Sequence, residues 1–183
     1  MFEYRLKWME ESLDREDKSV DAITLGNLMR SVAFFASTSI LIMAALIPLL
    51  TYGDNIQSFA DKLPLISSSS VVMYELKILL LIIIFIYSFF KYTWALRQYN
   101  YASILILSPV KTKKEKAIAA NRNAKILANA ARHFSMGIRS YYFGIAALSW
   151  FLNPYIFIAA SLLVVLVNYR REFFSRVLDI ISS

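Results

Sequence analysis

The sequence predicts an all-α fold: a multi-span helical membrane protein of about four hydrophobic helices with helical cytoplasmic extensions. Three observations carry this. No charge occurs between Val32 and Thr51, and 78–90 is dominated by Leu, Ile and Phe, whereas a hydrocarbon core of about 30 Å needs roughly 20 such residues in a helix. Hydrophobic residues make up 58% of the 183 positions and charged ones 18%, with a mean hydropathy of +0.51, well to the apolar side of the soluble average of about a quarter charged. Four Gly and four Pro leave little material for long loops, and the alternating ten-residue segments of a membrane barrel are absent.

Composition also narrows the chemistry. With no Cys and the single His133, disulfides, thiolate metal sites, iron–sulfur clusters and thiol nucleophiles are excluded, so neither metal nor cofactor is expected. The net charge of +7 flanks apolar spans and forms no nucleic-acid module. Its natural partner is the lipid bilayer, not nucleic acid. Residues 1–30 are polar and acidic, without the apolar centre of a signal peptide. The whole of 1–183 reads as one membrane domain.

In chain order, 1–30 reads as a cytoplasmic amphipathic helix. Phe2, Leu6, Met9 and Leu13, then Val20 and Ile23, form an apolar stripe between acids and bases. Span 1 covers 32–51, with Pro48 in its last turns, where a kink is tolerated. A short polar connection, 54–70, leads to span 2 at 71–91. That helix is expected to continue to about 107, with Trp94, Tyr101, Ile104 and Leu105 on its apolar face, and to end before Pro109, since proline disfavours helix in the residue preceding it. The stretch 111–152 is expected as a cytoplasmic helix running into span 3, its stripe formed by Ile118, Leu127, Ala130, Ala131, Phe134 and Ile138. Residues 141–169 as one helix would be about 43 Å long. Asn153-Pro154 in the middle is a helix start, Asn as cap and Pro at the first helical position, so a hairpin is expected, with span 4 and the C-terminal tail over 154–180.

Charge sets the expected orientation. Between Lys91 and Arg139 the only acid is Glu115, while the 54–70 connection carries Lys62 as its lone cation. The positive-inside rule then places the basic segment 91–139 in the cytoplasm of a cell (inner) membrane. A hairpin returns Arg170, Arg171 and Arg176 to the same side.

Several strings, taken together, resemble a known family. They are Trp8-Met9, Arg15-Glu16-Asp17-Lys18-Ser19-Val20-Asp21-Ala22, Leu25-Gly26-Asn27-Leu28 and the run from Arg30 to Ser39. Further along come Glu75-Leu76-Lys77, Phe90-Lys91-Tyr92-Thr93-Trp94, Leu96-Arg97-Gln98-Tyr99-Asn100-Tyr101, Ala131-Arg132-His133-Phe134, Tyr141-Tyr142-Phe143, Trp150-Phe151-Leu152-Asn153-Pro154 and Tyr169-Arg170-Arg171-Glu172-Phe173. The set resembles the bacterial and plant membrane family catalogued as domain of unknown function 599, over nearly the whole chain. The resemblance implies an integral membrane protein and transfers no activity. Members of that family usually carry another hydrophobic span upstream of the Trp8-Met9 block, and this sequence starts almost at that block, as a shortened sequence or a natural variant would. If a span is missing, Phe2 would emerge from it at the cytoplasmic face.

Two candidate sites follow from residue chemistry. Arg97, Asn100, Tyr101, Arg132 and His133 could meet where the two cytoplasmic helix extensions pack, and such a set suits an anionic headgroup, phosphate or carboxylate. The plainer reading is a hydrogen-bond network fastening the helices. Glu75 and Lys77, at the outer start of span 2, could line an entrance, although Glu at a helix start and a snorkelling Lys are ordinary at an interface. Ser37, Thr38 and Ser39 could line a polar path, but more often such residues hydrogen-bond to their own helix backbone or to a neighbour. Lys111, Lys113, Lys114 and Lys116 read as an anchor for anionic lipid, and Tyr141, Tyr142, Trp150 and Tyr155 as interfacial residues.

No phosphate loop, zinc-ligand pair, Ser-His-Asp set or paired intramembrane carboxylates are present. The leading expectation is a non-enzymatic accessory or interaction component of the inner membrane that self-associates or joins a membrane-protein partner. The alternatives are a small channel or transporter, and a membrane enzyme or binding protein for anionic lipid headgroups.

Overall fold

The computed structural model describes residues 1–51, 70–110 and 112–173. Residues 54–69 of the expected connection, Lys111 and the tail with Arg176 lie outside the described residues. Among the described residues every regular element is helical: α1 (Phe2–Asp14), α2 (Ser19–Thr51), α3 (Val71–Leu107), α4 (Lys113–Leu148), a 3-10 turn (Ser149–Phe151) and α5 (Pro154–Phe173). The helices α2, α3 and α5 are long and apolar enough to cross a membrane, so this is a multi-pass membrane protein. The residues expected to open a further span, from 141, continue α4 and supply only its last two turns.

The chain divides into two compact units, one of residues 1–36 and 90–136, the other of 37–89 and 137–183. In the first, the single amphipathic helix expected over 1–30 is instead two helices. The chain leaves α1 at Arg15 in an extended conformation (φ −72°, ψ 136°). The Asp17 carboxylate then accepts the Ser19 N–H at 2.8 Å, satisfying a first-turn donor of α2. What folds α1 back is Asp21, only 1% exposed. Its carboxylate accepts hydrogen bonds from Trp8 Nε1 at 2.6 Å, Ser12 Oγ at 2.9 Å and Arg15 at 3.1 Å. A buried carboxylate is tolerable only with such donors around it. Two further ties hold this unit. Lys18 Nζ donates to the Ile106 carbonyl at 2.6 Å, capping the C-terminus of α3, and Lys116 pairs with Asp14.

The packed faces of this unit are shifted from those expected. Met9 and Leu13 are buried, but Val20 and Ile23 stand in the open. On α3 the buried residues of this unit are Tyr92, Ala95, Gln98, Tyr99, Ala102 and Ile106, while Trp94, Tyr101 and Ile104 are exposed. On α4 the buried set is Ala119, Ala120, Asn123, Ala124, Leu127 and Ala130, with Ile118 exposed. Alanine contributes to the shift: small side chains let helix axes approach, and Ala95, Ala102, Ala120 and Ala124 share the contact with Tyr92, Tyr99 and Leu127. Phe35, Tyr92 and Phe134 close one end, their ring centroids 5.7–5.8 Å apart.

In the second unit Leu46, Tyr74, Ile78, Leu81, Phe85 and Ala147 form the core. Its hydroxyls are paired, Ser39 with Tyr141 at 3.0 Å and Ser88 with Ser140 at 2.6 Å, which meets the requirement that buried polar groups find partners. Asn153 Oδ1 accepts the Tyr155 N–H at 2.8 Å, capping α5 at its proline start. Glu172 meets Arg139, and Tyr142 Oη accepts from Arg171 at 3.1 Å. Because the end of α5 thus returns to residues early in this stretch of α4, the two helices run antiparallel.

Candidate functional site

The first unit holds an open cleft of about 630 Å³. Its walls are set by helical spacing. Gln98 and Tyr101 come from α3, one turn apart; Lys125, Ala128, Asn129 and Arg132 come from α4 at offsets of three, four and seven, hence one face. Ile126 and Phe2 of α1 complete the lining. The polar lining therefore holds two cations, two amides and a phenol, without a carboxylate. Gln98 is only 8% exposed, and its buried Oε1 has no hydrogen-bond partner among the described residues.

Of the five residues expected to converge, Tyr101 and Arg132 line this cleft. Arg97 does not, but Nε of its guanidinium donates to the Tyr101 hydroxyl at 2.5 Å, and its Cζ lies 5.5 Å from the ring centroids of both Trp94 and Tyr101. Asn100 is exposed and stands outside the lining. His133 is half-buried with its ring edge-on to Trp94 at 6.3 Å, and its buried Nδ1 has no hydrogen-bond partner among the described residues. Burial, and then the nearby charges of Lys91 and Arg132, hold the imidazole pKa below its ordinary value. Gln98, Lys125 and Asn129 were not anticipated. The signal was available in the i, i+4, i+7 placement of Lys125, Asn129 and Arg132, which puts three donors on one helical face.

A family model described as "Protein of unknown function, DUF599" matches residues 1–177. The chain belongs to the DUF599 family. No curated protein and no solved structure gives a match. DUF599 membership carries no activity with it, so the chemistry of this chain rests on its own side chains.

The other candidate residues of this DUF599 protein are placed apart. Glu75 is exposed, whereas Lys77, two positions on, is buried with its ammonium 5.6 Å from the ring centroids of both Trp150 and Phe151. Two residues of helix turn side chains by about 200°, and these two charges do not face a common opening. In the lysine cluster, Lys113 and Lys114 are exposed while Lys116 is engaged by Asp14. Among the described residues no three His, Cys, Asp or Glu side chains gather as a metal site.

Proposed function

We propose that this DUF599 protein is a non-enzymatic component of the inner membrane that binds an anionic group in the cleft between Gln98 and Tyr101 on one side and Lys125, Asn129 and Arg132 on the other. One observation carries the reading: Lys125 and Arg132 share a cleft whose lining contains no acid. Two cations on one helical face with no acid in the lining give the cleft a positive potential, and a bound anion would accept charge-assisted hydrogen bonds from both. The lining also has no carboxylate, imidazole, thiol or serine, which favours holding a ligand over transforming it.

The setting is consistent with a phosphate-bearing ligand near a lipid surface. Gln98 lies eight residues past Phe90, about 12 Å further along α3, and the segment 91–139 has Glu115 as its only acid. On the positive-inside rule that segment and the C-terminus face the cytoplasm, with Lys113 and Lys114 directed to anionic lipid.

The test is a titration of the full chain, in zwitterionic nanodiscs, with anionic lipid, read by native mass spectrometry. Lys125→Gln and Arg132→Gln should each weaken binding by about ten- to a hundredfold, the range for losing one hydrogen bond to a charged group. Undiminished binding in the doubly substituted protein would overturn the assignment.

A further inference from the structure

We infer that the cleft takes a phosphomonoester in preference to a phosphodiester, with Arg97 as the residue that prepares it; this rests on the anion-binding reading above. The argument begins with Tyr101. Its phenol oxygen already accepts a hydrogen bond from Arg97 Nε, so its own O–H is left to donate. Tyr101 lines the cleft. Arg97 is not part of the lining, and its guanidinium carbon lies 5.5 Å from the ring centroids of both Trp94 and Tyr101. It acts as a positioning residue: it presents the phenol as a donor and discourages use of the phenol oxygen as an acceptor.

The cleft therefore offers an ammonium from Lys125, a guanidinium from Arg132, a phenol O–H from Tyr101 and an amide N–H₂ from Asn129. This array carries two positive charges, and the lining sets no negative charge against them. A phosphomonoester at neutral pH carries about −1.5 to −2 charges and three terminal acceptor oxygens. A phosphodiester or a carboxylate brings one charge and two such oxygens, leaving a cation uncompensated and a donor unused. Lys125 and Arg132 are seven residues apart, about 10 Å along the helix, a separation that two long flexible side chains can close on one group. Phe2, Ile126 and Ala128 add an apolar wall suited to the body that carries the phosphate, and about 630 Å³ falls within the usual range for small-ligand sites.

A lipid with a terminal phosphate and a soluble phosphate ester present the same group, so the experiment separates them. The full chain in phosphatidylcholine nanodiscs is titrated with phosphatidic acid, with phosphatidylglycerol, and with phosphatidic acid in competition with soluble glycerol phosphate. Phosphatidic acid should bind at least about tenfold more tightly than phosphatidylglycerol, the worth of one extra charge-assisted hydrogen bond. Tyr101→Phe, which preserves the ring, and Arg97→Met should both shrink that preference, weakening phosphatidic acid binding more than phosphatidylglycerol binding. Displacement by glycerol phosphate supports a soluble ligand, and failure of glycerol phosphate to compete supports a lipid one. Equal affinity for the two lipids would overturn the monoester inference yet leave anion binding intact. No binding of either would overturn both.

Discussion

Asp21 joins three side chains of the N-terminal segment to the start of α2, and one substitution tests what that junction is worth. Asp21→Ala strands the Trp8 N–H and the buried Ser12 hydroxyl, at about 1–3 kcal/mol for each buried group left without a partner. Hydrogen exchange should then show lost protection across residues 2–14, with Asp21→Asn, which keeps an acceptor, losing less. Unchanged protection in Asp21→Ala would mean that Met9 and Leu13 hold α1 by packing alone. His133 supplies a pH dependence of defined sign. Its folded-state pKa lies below the ordinary value of 6.5, chiefly through burial. Above that value both folded and unfolded forms are neutral. As pH falls below it the unfolded chain takes up a proton that the folded chain refuses, so stability declines until the folded pKa is passed. Asp17 is also depressed, first by its hydrogen bond with the Ser19 side chain and then by the Ser19 backbone, but its window lies below 3.8. Thermal unfolding between pH 7.5 and 5.5 should therefore show a decline that His133→Gln reduces; an identical decline in that variant would assign it elsewhere.

At the scale of elements, helix content, the break before Pro109 and the Asn153-Pro154 start were written in local chemistry, and a sequence conveys local chemistry well. Which face each extension packs was not. The large apolar residues Trp94, Tyr101, Ile104 and Ile118, which mark the faces expected from spacing, are exposed, while Ala95, Ala102, Ala120 and Ala124 are buried in the contacts. The division of 1–30 into α1 and α2 depends on Asp21 meeting Trp8, Ser12 and Arg15, contacts that no periodicity encodes. The cleft differs: Lys125, Asn129 and Arg132 share a helical face that spacing alone encodes, but only the packing of α3 against it brings Gln98 and Tyr101 to the same cleft. One glycine tests packing between elements. A Cβ on Gly144 would sit 3.2 Å from Phe85 Cζ and 3.6 Å from Ile84 Cγ2. Replacing helical Gly by Ala gains about 1 kcal/mol in propensity, and a shift of a few tenths of an ångström by the buried Phe85 ring cancels much of it. Gly144→Ala should be close to neutral in thermal unfolding, whereas Gly144→Leu should destabilise by about 1–3 kcal/mol through overpacking. A well-tolerated Leu would show that this contact has slack.

For the molecule as a whole, the length of α3 is the decisive quantity. Its 37 residues extend about 55 Å, against a hydrocarbon core of about 30 Å. Roughly 20 residues suffice to cross, and the remainder must continue as helix beyond the core, in the stretch where Lys91 and Arg97 begin the basic segment. The apolar run 78–90 lies nearer the start of α3, so the excess length falls on the side of Gln98 and Tyr101. If that side is the cytoplasm, Ser70, immediately before α3, belongs to the opposite face. The absence of Cys makes this directly measurable, since an introduced thiol is the only one present. Ser70→Cys should react with a membrane-impermeant maleimide on intact cells. Lys114→Cys and Arg122→Cys, both at exposed positions, should react only after the membrane is permeabilised. The reverse pattern would turn the chain over and place the cleft outside the cell, where it would meet a different set of phosphates. Labelling of all three on intact cells would mean that α3 does not cross the bilayer.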